Sequence, residues 1–151
     1  MNTRISYAEF GRTGADTLKA LAAVSKSALD RGLAKALSEL IKLRVSQING
    51  CAFCIAYHLK VLRGLNFDQT KLDTVTAWRE AALFSDGEQA ALAWAEELSL
   101  MAGATPRDET KAALAANFTP DQIIGLNITI ASINGWKRLA VSMGFIPADV
   151  G

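Results

Sequence analysis

The stretch LAKALSELIKLRVSQINGCAFCIAYHLKVLRG, residues 33–64, decides the fold of this chain. Its first half carries Leu33, Leu37, Leu40, Ile41, Arg44 and Ile48 at the three- and four-residue spacings of one helix face. Asn49-Gly50 is a stop signal, because Gly readily takes the left-handed backbone that ends a helix. A further helix then starts at Cys51 and reaches Gly64, so the pair Cys51-Ala-Phe-Cys54 is flanked by helix on both sides. A CxxC motif of the thioredoxin type needs a βαβ setting, and no strand-like segment precedes Cys51. The stretch predicts a dithiol on an all-helical scaffold.

Working outward, residues 15–31 form an earlier helix, with Leu18, Leu21, Ala22 and Leu29 on one face and Gly32 behind it. Downstream, helices are expected over about 68–83, 86–101 and 107–117. Asp68 and Asp86 are the expected N-caps, since a carboxylate oxygen accepts the unpaired amide hydrogens of a first turn. Thr119-Pro120-Asp121-Gln122 reads as cap, first-position proline and acidic first turn of a last helix running to about 143. The result is an all-α chain of seven helices, a single domain over 1–151, with CxxCxxxH at the start of the third.

Composition agrees. The chain has 151 residues, with 26 Ala and 18 Leu against only 16 Val and Ile together, and unbranched residues lose less entropy in a helix than β-branched ones. Half of the residues are hydrophobic and 21% are charged, which excludes a mainly disordered chain. A net charge of +1 supplies no basic field for nucleic acid or an anionic membrane, so neither partner is expected. The N-terminal residues lack the apolar core of a secretory signal, and no run approaches 18 uninterrupted apolar residues. A cytoplasmic location follows as the expectation. The last helix places Ile123, Ile124, Leu126, Ile128, Ile130 and Ile133 around most of its circumference. A helix apolar all round must be covered all round, which points to a homo-oligomer.

The chemistry is scarce and concentrated. Both cysteines and the single histidine lie in Cys51-Ala-Phe-Cys54-Ile-Ala-Tyr-His58. At about 100° per residue they fall at about 0°, 300° and 340°, on one helical stripe. Residues three apart on a helix also lie within the Cα range of disulfides, about 4.4–6.8 Å. Three readings compete. In one, the thiols are activated for redox work, Cys51 by the helix N-terminus and Cys54 by His58; these effects alone do not say which sulfur attacks first. In another, Cys51, Cys54 and His58 ligate zinc, although no second Cys or His pair exists to complete a structural site. In the third, the cysteines are small buried hydrophobes. The gathering of every scarce residue on one stripe favours the first.

The segment Glu39-Leu-Ile-Lys-Leu-Arg-Val-Ser-Gln-Ile-Asn-Gly-Cys51-Ala-Phe-Cys54-Ile-Ala-Tyr-His58 resembles the core of the AhpD-like alkylhydroperoxidases, within the carboxymuconolactone decarboxylase superfamily. The shared pattern is a Glu, eleven residues and then CxxCxxxH, and the likeness extends more weakly to Asn134-Gly135-Trp136-Lys137-Arg138-Leu139-Ala140. The resemblance implies that Cys54 is the peroxidatic thiol, Cys51 the resolving thiol, and His58 with Glu39 a proton relay. It implies a hydroperoxide as substrate, an external dithiol or thiol as reductant, no cofactor and no metal, and a trimer-based assembly such as a hexamer. Two features depart from the better-characterised members: Ala52 and Phe53 fill a gap that holds a histidine there, and Lys137 replaces a frequent Asn. The superfamily's other branch acts on lactones by decarboxylation or isomerisation and does not depend on a CxxC pair. A non-enzymatic redox-sensing or metal-binding subunit is the remaining alternative.

Overall fold

A computed structural model describes residues 4–151, and among these every regular element is helical. In chain order the α-helices are α1 (Tyr7–Thr13), α2 (Ala15–Leu29), α3 (Lys35–Ile48), α4 (Ala52–Gly64), α5 (Gln69–Thr74), α6 (Trp78–Ala81), α7 (Asp86–Ser99), α8 (Asp108–Asn117) and α9 (Pro120–Met143). Short 3-10 turns occupy Val75–Ala77 and Pro147–Val150. The expectation of no secretory signal rests in part on residues 1–3, which lie outside the described ones.

All seven expected segments are helical, with two differences. An additional helix, α1, precedes them, so the CxxCxxxH motif opens the fourth helix rather than the third. Its seven residues include Gly11 and are too few to show periodicity. It is held by the Ser6 hydroxyl, which accepts from the Glu9 amide, and by burial of Phe10. The segment expected over 68–83 breaks at a 3-10 turn and ends at Ala82, whose φ of 52° is left-handed. Asp68 does cap its helix, accepting from the Lys71 amide. Asp86 does not: Ser85 caps α7, in a reciprocal box with Glu88. Both Ser85 and Asp86 can cap; the reciprocal box closes at Ser85, whose hydroxyl accepts from the Glu88 amide while the Glu88 carboxylate accepts from the Ser85 amide.

α3 is the spine. It packs on α4, α7 and α9, and Leu40, Ile41, Leu43 and Val45 are fully enclosed. Its C-terminus turns tightly. The Gly50 amide donates to the Gln47 carbonyl and the Cys51 amide to the Ser46 carbonyl, with Gly50 at a φ of 61°. This is the Schellman arrangement, and it hands the chain directly to α4, for which Cys51 is the N-cap. The Asn49-Gly50-Cys51 turn thus folds α4 back along α3.

The last helix, α9, packs on α2, α3, α4, α7 and α8. Leu126, Ile130 and Ile133 are buried, Ile123 and Ile128 are half-buried, and Ile124 and Val141 stay exposed. Much of its apolar circumference is therefore covered within the chain. Gly125 allows α2 to approach closely, since a Cβ there would sit 2.6 Å from the Ala28 carbonyl oxygen. The first and last described segments meet beside α4. Ile5 donates to the Met143 carbonyl, Arg4 pairs with Asp149, and Lys60 donates to the carbonyls of Val150 and Gly151.

No helix among the described residues is long and apolar enough to cross a membrane.

Candidate active site

Cys51 and Cys54 are joined as a disulfide, with Cα atoms 5.2 Å apart. Cys51 is not itself helical. As the N-cap of α4 it has extended backbone, and its sulfur accepts from the Cys54 amide at 3.3 Å. The stripe inferred from ideal helix angles survives because the cap residue still places its side chain over the first turn. Both sulfurs therefore sit at the positive end of the α4 dipole, where a thiolate is favoured.

Glu39 and Lys42 lie on the face of α3 that meets α4. Four buried or nearly buried atoms form a chain: Lys42 Nζ donates to Glu39 Oε1 at 2.9 Å, and Glu39 Oε2 lies 2.7 Å from His58 Nδ1. Burial by itself pushes the Glu39 carboxyl up. The hydrogen bond from His58 and the charge of Lys42 outweigh it and hold the group at about 2. An ionised carboxylate only accepts, so His58 Nδ1 carries its hydrogen toward Glu39 and Nε2 is left as the proton-accepting nitrogen. Lys42 was not legible as a site residue. A lysine at that position reads as a solvated helix charge; only the packing of α3 against α4 buries it to 9% exposure.

That low value ties Glu39 to stability. Its stabilising contribution is present above the ordinary carboxylate range and is lost as pH falls from about 5 towards 2, on the order of 3 kcal/mol in all. Glu39→Gln is expected to lose this acid-side dependence. It also leaves Lys42 as a buried unpaired charge, so at pH 7 it should cost about 3–5 kcal/mol, read from urea unfolding. The double variant Glu39→Gln/Lys42→Met should recover part of the loss; no recovery would mean that the ion pair is not what is being measured.

A cavity of about 290 Å³ opens beside this network. Cys54, His58, Glu39 and Lys42 line it, and Cys51 does not. Tyr57 also lines it and meets the His58 ring edge to face, centroids 5.2 Å apart. Tyr7 from α1 faces the same space and packs on Phe53; burial, together with Tyr57, pushes its phenol up. Trp136 contributes wall, whereas Trp78 and Trp94 are core residues whose indoles donate to Glu96 and Asn127. Lys137 donates to the Asn49 carbonyl and Asn49 to Asn134, which pins the α3–α4 turn to α9. These residues position the motif rather than enter the cavity.

The structure brings together all four residues named from the sequence: Cys51, Cys54, His58 and Glu39. Residues 15–97 match the carboxymuconolactone decarboxylase family. An uncharacterized protein of Bacillus subtilis (strain 168), YdfG, is 32% identical over 95% of this chain and 96% of its own length. Another, YnjA of Escherichia coli (strain K12), is 32% identical over 73% of this chain and 59% of its own. A crystal structure from Agrobacterium tumefaciens, of a protein of unknown function provisionally described as the antioxidant defence protein AhpD, superposes with a TM-score of 0.84. It shares 31% identity and covers 95% of this chain and 96% of its own. An uncharacterized peroxidase-related protein of Silicibacter sp. TM1040 shares the fold with a TM-score of 0.74 at 22% identity, over 86% of this chain and 69% of its own.

Proposed function

Because the chain belongs to the carboxymuconolactone decarboxylase family, we propose that it is a cytoplasmic, AhpD-like thiol peroxidase reducing organic hydroperoxides through a Cys51–Cys54 cycle. One observation carries this reading: of two joined sulfurs, the one that lines the cavity, Cys54, shares that cavity with His58.

The proposed cycle runs in four steps: thiol deprotonation, attack on the peroxide, disulfide closure and reduction by an external dithiol. In the reduced protein the Cys54 thiol gives its proton to His58 Nε2, and Glu39 stabilises the resulting imidazolium through Nδ1. The thiolate attacks the outer peroxide oxygen, the O–O bond breaks, and the departing alkoxide takes the proton back from His58. The products are a Cys54 sulfenic acid and an alcohol. The Cys51 thiol then condenses with the sulfenic acid, forming the disulfide and releasing water. An external dithiol attacks Cys54 from the cavity and displaces Cys51. The Cys54 amide stabilises Cys51 as it leaves as a thiolate, and a good leaving thiolate speeds exchange. A second thiol of the reductant closes its own disulfide and frees Cys54.

The dithiol also weighs against the lactone chemistry of the family's other branch, which has no need of it. Two sulfurs joined to each other cannot ligate a metal, which disfavours a zinc site in this state. Homo-oligomerisation, trimer-based as in a hexamer, belongs to the same reading; exposed Leu100, Met101, Ile124 and Val141 are apolar surface such an assembly would cover.

The test is a thiol count. One equivalent of hydroperoxide should remove both thiols of the reduced protein with no covalent dimer formed. Unchanged thiols would sink the peroxidase reading.

A further inference from the structure

We infer that the cavity selects a hydroperoxide that also bears a carboxylate, bound by Lys35 at the end away from Cys54. The inference rests on the peroxidase reading for the reacting end and on separate observations for the binding end.

The space is the first observation. At about 30 Å³ per small heavy group, a cavity of about 290 Å³ has room for on the order of ten non-hydrogen atoms, far beyond hydrogen peroxide. Leu18 and Leu21 of α2, Val61 of α4, and Ile133 and Trp136 of α9 give it apolar walls. They suit a hydrocarbon body.

Charge is the second. At the depth of His58, both Glu39 oxygens are engaged, one by Lys42 and the other by His58. That end is electrically complete and holds no spare cation. Lys35 lies one turn earlier on the same face of α3, about 6 Å along the axis, and lines the cavity as an exposed residue. Among the described residues it has no hydrogen bond or ion pair. Ser25 of α2 also lines the cavity.

Position is the third. Lys35 is the first residue of α3, behind an Ala34 cap that makes no side-chain hydrogen bond, and no acidic residue occupies the first turn. A helix N-terminus favours an anion and disfavours a cation. Stability therefore does not account for a lysine here, whereas a bound carboxylate would neutralise the lysine and the dipole together. Apolar walls, one uncompensated cation at one end and a reactive sulfur at the other define an amphipathic, carboxylate-bearing organic hydroperoxide.

Two pairs of probes test this. The first pair is cumene hydroperoxide and its para-carboxylated analogue, compared by kcat/KM with a chemical dithiol as reductant. The carboxylated compound should be favoured about tenfold, the worth of one charge-assisted hydrogen bond. Lys35→Gln should bring the ratio near one, and Lys35→Arg should retain it. The second pair, 4-isopropylbenzoate and 4-isopropylbenzamide, reads binding by calorimetry with no chemistry involved. The acid should bind about tenfold more tightly than the amide, and only while residue 35 is cationic. Equal binding of acid and amide, or a preference that survives Lys35→Gln, overturns the inference and leaves the peroxidase reading intact. A Lys35-dependent preference for the benzoate with no thiol oxidation by either hydroperoxide would uphold the carboxylate site and overturn the peroxidase reading.

Discussion

Cys54→Ser is expected to lower peroxide turnover to background, a loss of at least about a thousandfold, because a hydroxyl at this position neither ionises nor accepts the peroxide oxygen. The matched experiment separates the two sulfurs. After one equivalent of hydroperoxide, the parent should lose both thiols, Cys54→Ser should keep its single thiol, and Cys51→Ser should lose its one thiol to a sulfenic acid that a 1,3-dione traps. Both sulfurs are about equally buried, so accessibility to solvent does not predict this asymmetry. Lining of the cavity does. If Cys54→Ser is oxidised at the parent rate and Cys51→Ser is inert, the roles are reversed, and Cys51 must be reached by a route other than this cavity. If both variants turn over normally, the cysteines are structural.

The second large effect is expected from His58→Asn. The asparagine amide can still donate to Glu39 where His58 Nδ1 does now, so the Lys42–Glu39 pair keeps a partner and the fold is spared. Nε2, the proton acceptor, is lost. General acid–base catalysis contributes about a hundred- to ten-thousandfold, and the rate of Cys54 oxidation at pH 7 should fall within that range. The deficit should narrow as pH rises, because a thiol left without its base ionises on its own as the solution becomes more alkaline. Stopped-flow measurement of thiol loss across pH 6–9 reads both features. A rate equal to the parent's at pH 7 would remove His58 from the mechanism and leave its contact with Glu39 as a packing device.

These two expectations draw on different levels of the molecule. Cys51, Cys54 and His58 were legible because their spacing is local: three and four residues along one helix place side chains together whatever the rest of the chain does. Glu39 was legible as a candidate only through its family-like distance from the motif. Its physical connection runs through the Schellman turn at Gly50, which sends α4 back along α3 and brings residues 39 and 58 into hydrogen-bonding distance. Helix ends were read well where two signals agreed, as at Thr119 with Gln122, and less well where two adjacent residues could both cap, as at Ser85 and Asp86. The short α1 escapes notice because seven residues hold too little periodic signal, and it owes its place to Phe10 and to the Ile5–Met143 hydrogen bond just before it.

Lys42, Lys35 and Tyr7 mark the limit of the sequence. Two lysines seven residues apart on one helix look alike as text. The fold buries one against Glu39 and leaves the other exposed at the cavity wall with no ion pair among the described residues. Tyr7 comes from a helix about forty residues before the motif.

The sequence by itself determined the helical class, the positions of most helices and the dithiol stripe, because these depend on interactions within a few residues. Tertiary structure decided which sulfur faces the cavity, which charges are paired and which cation stays free. Those outcomes depend on desolvation and on contacts between separate helices, and neither is encoded in any one local spacing.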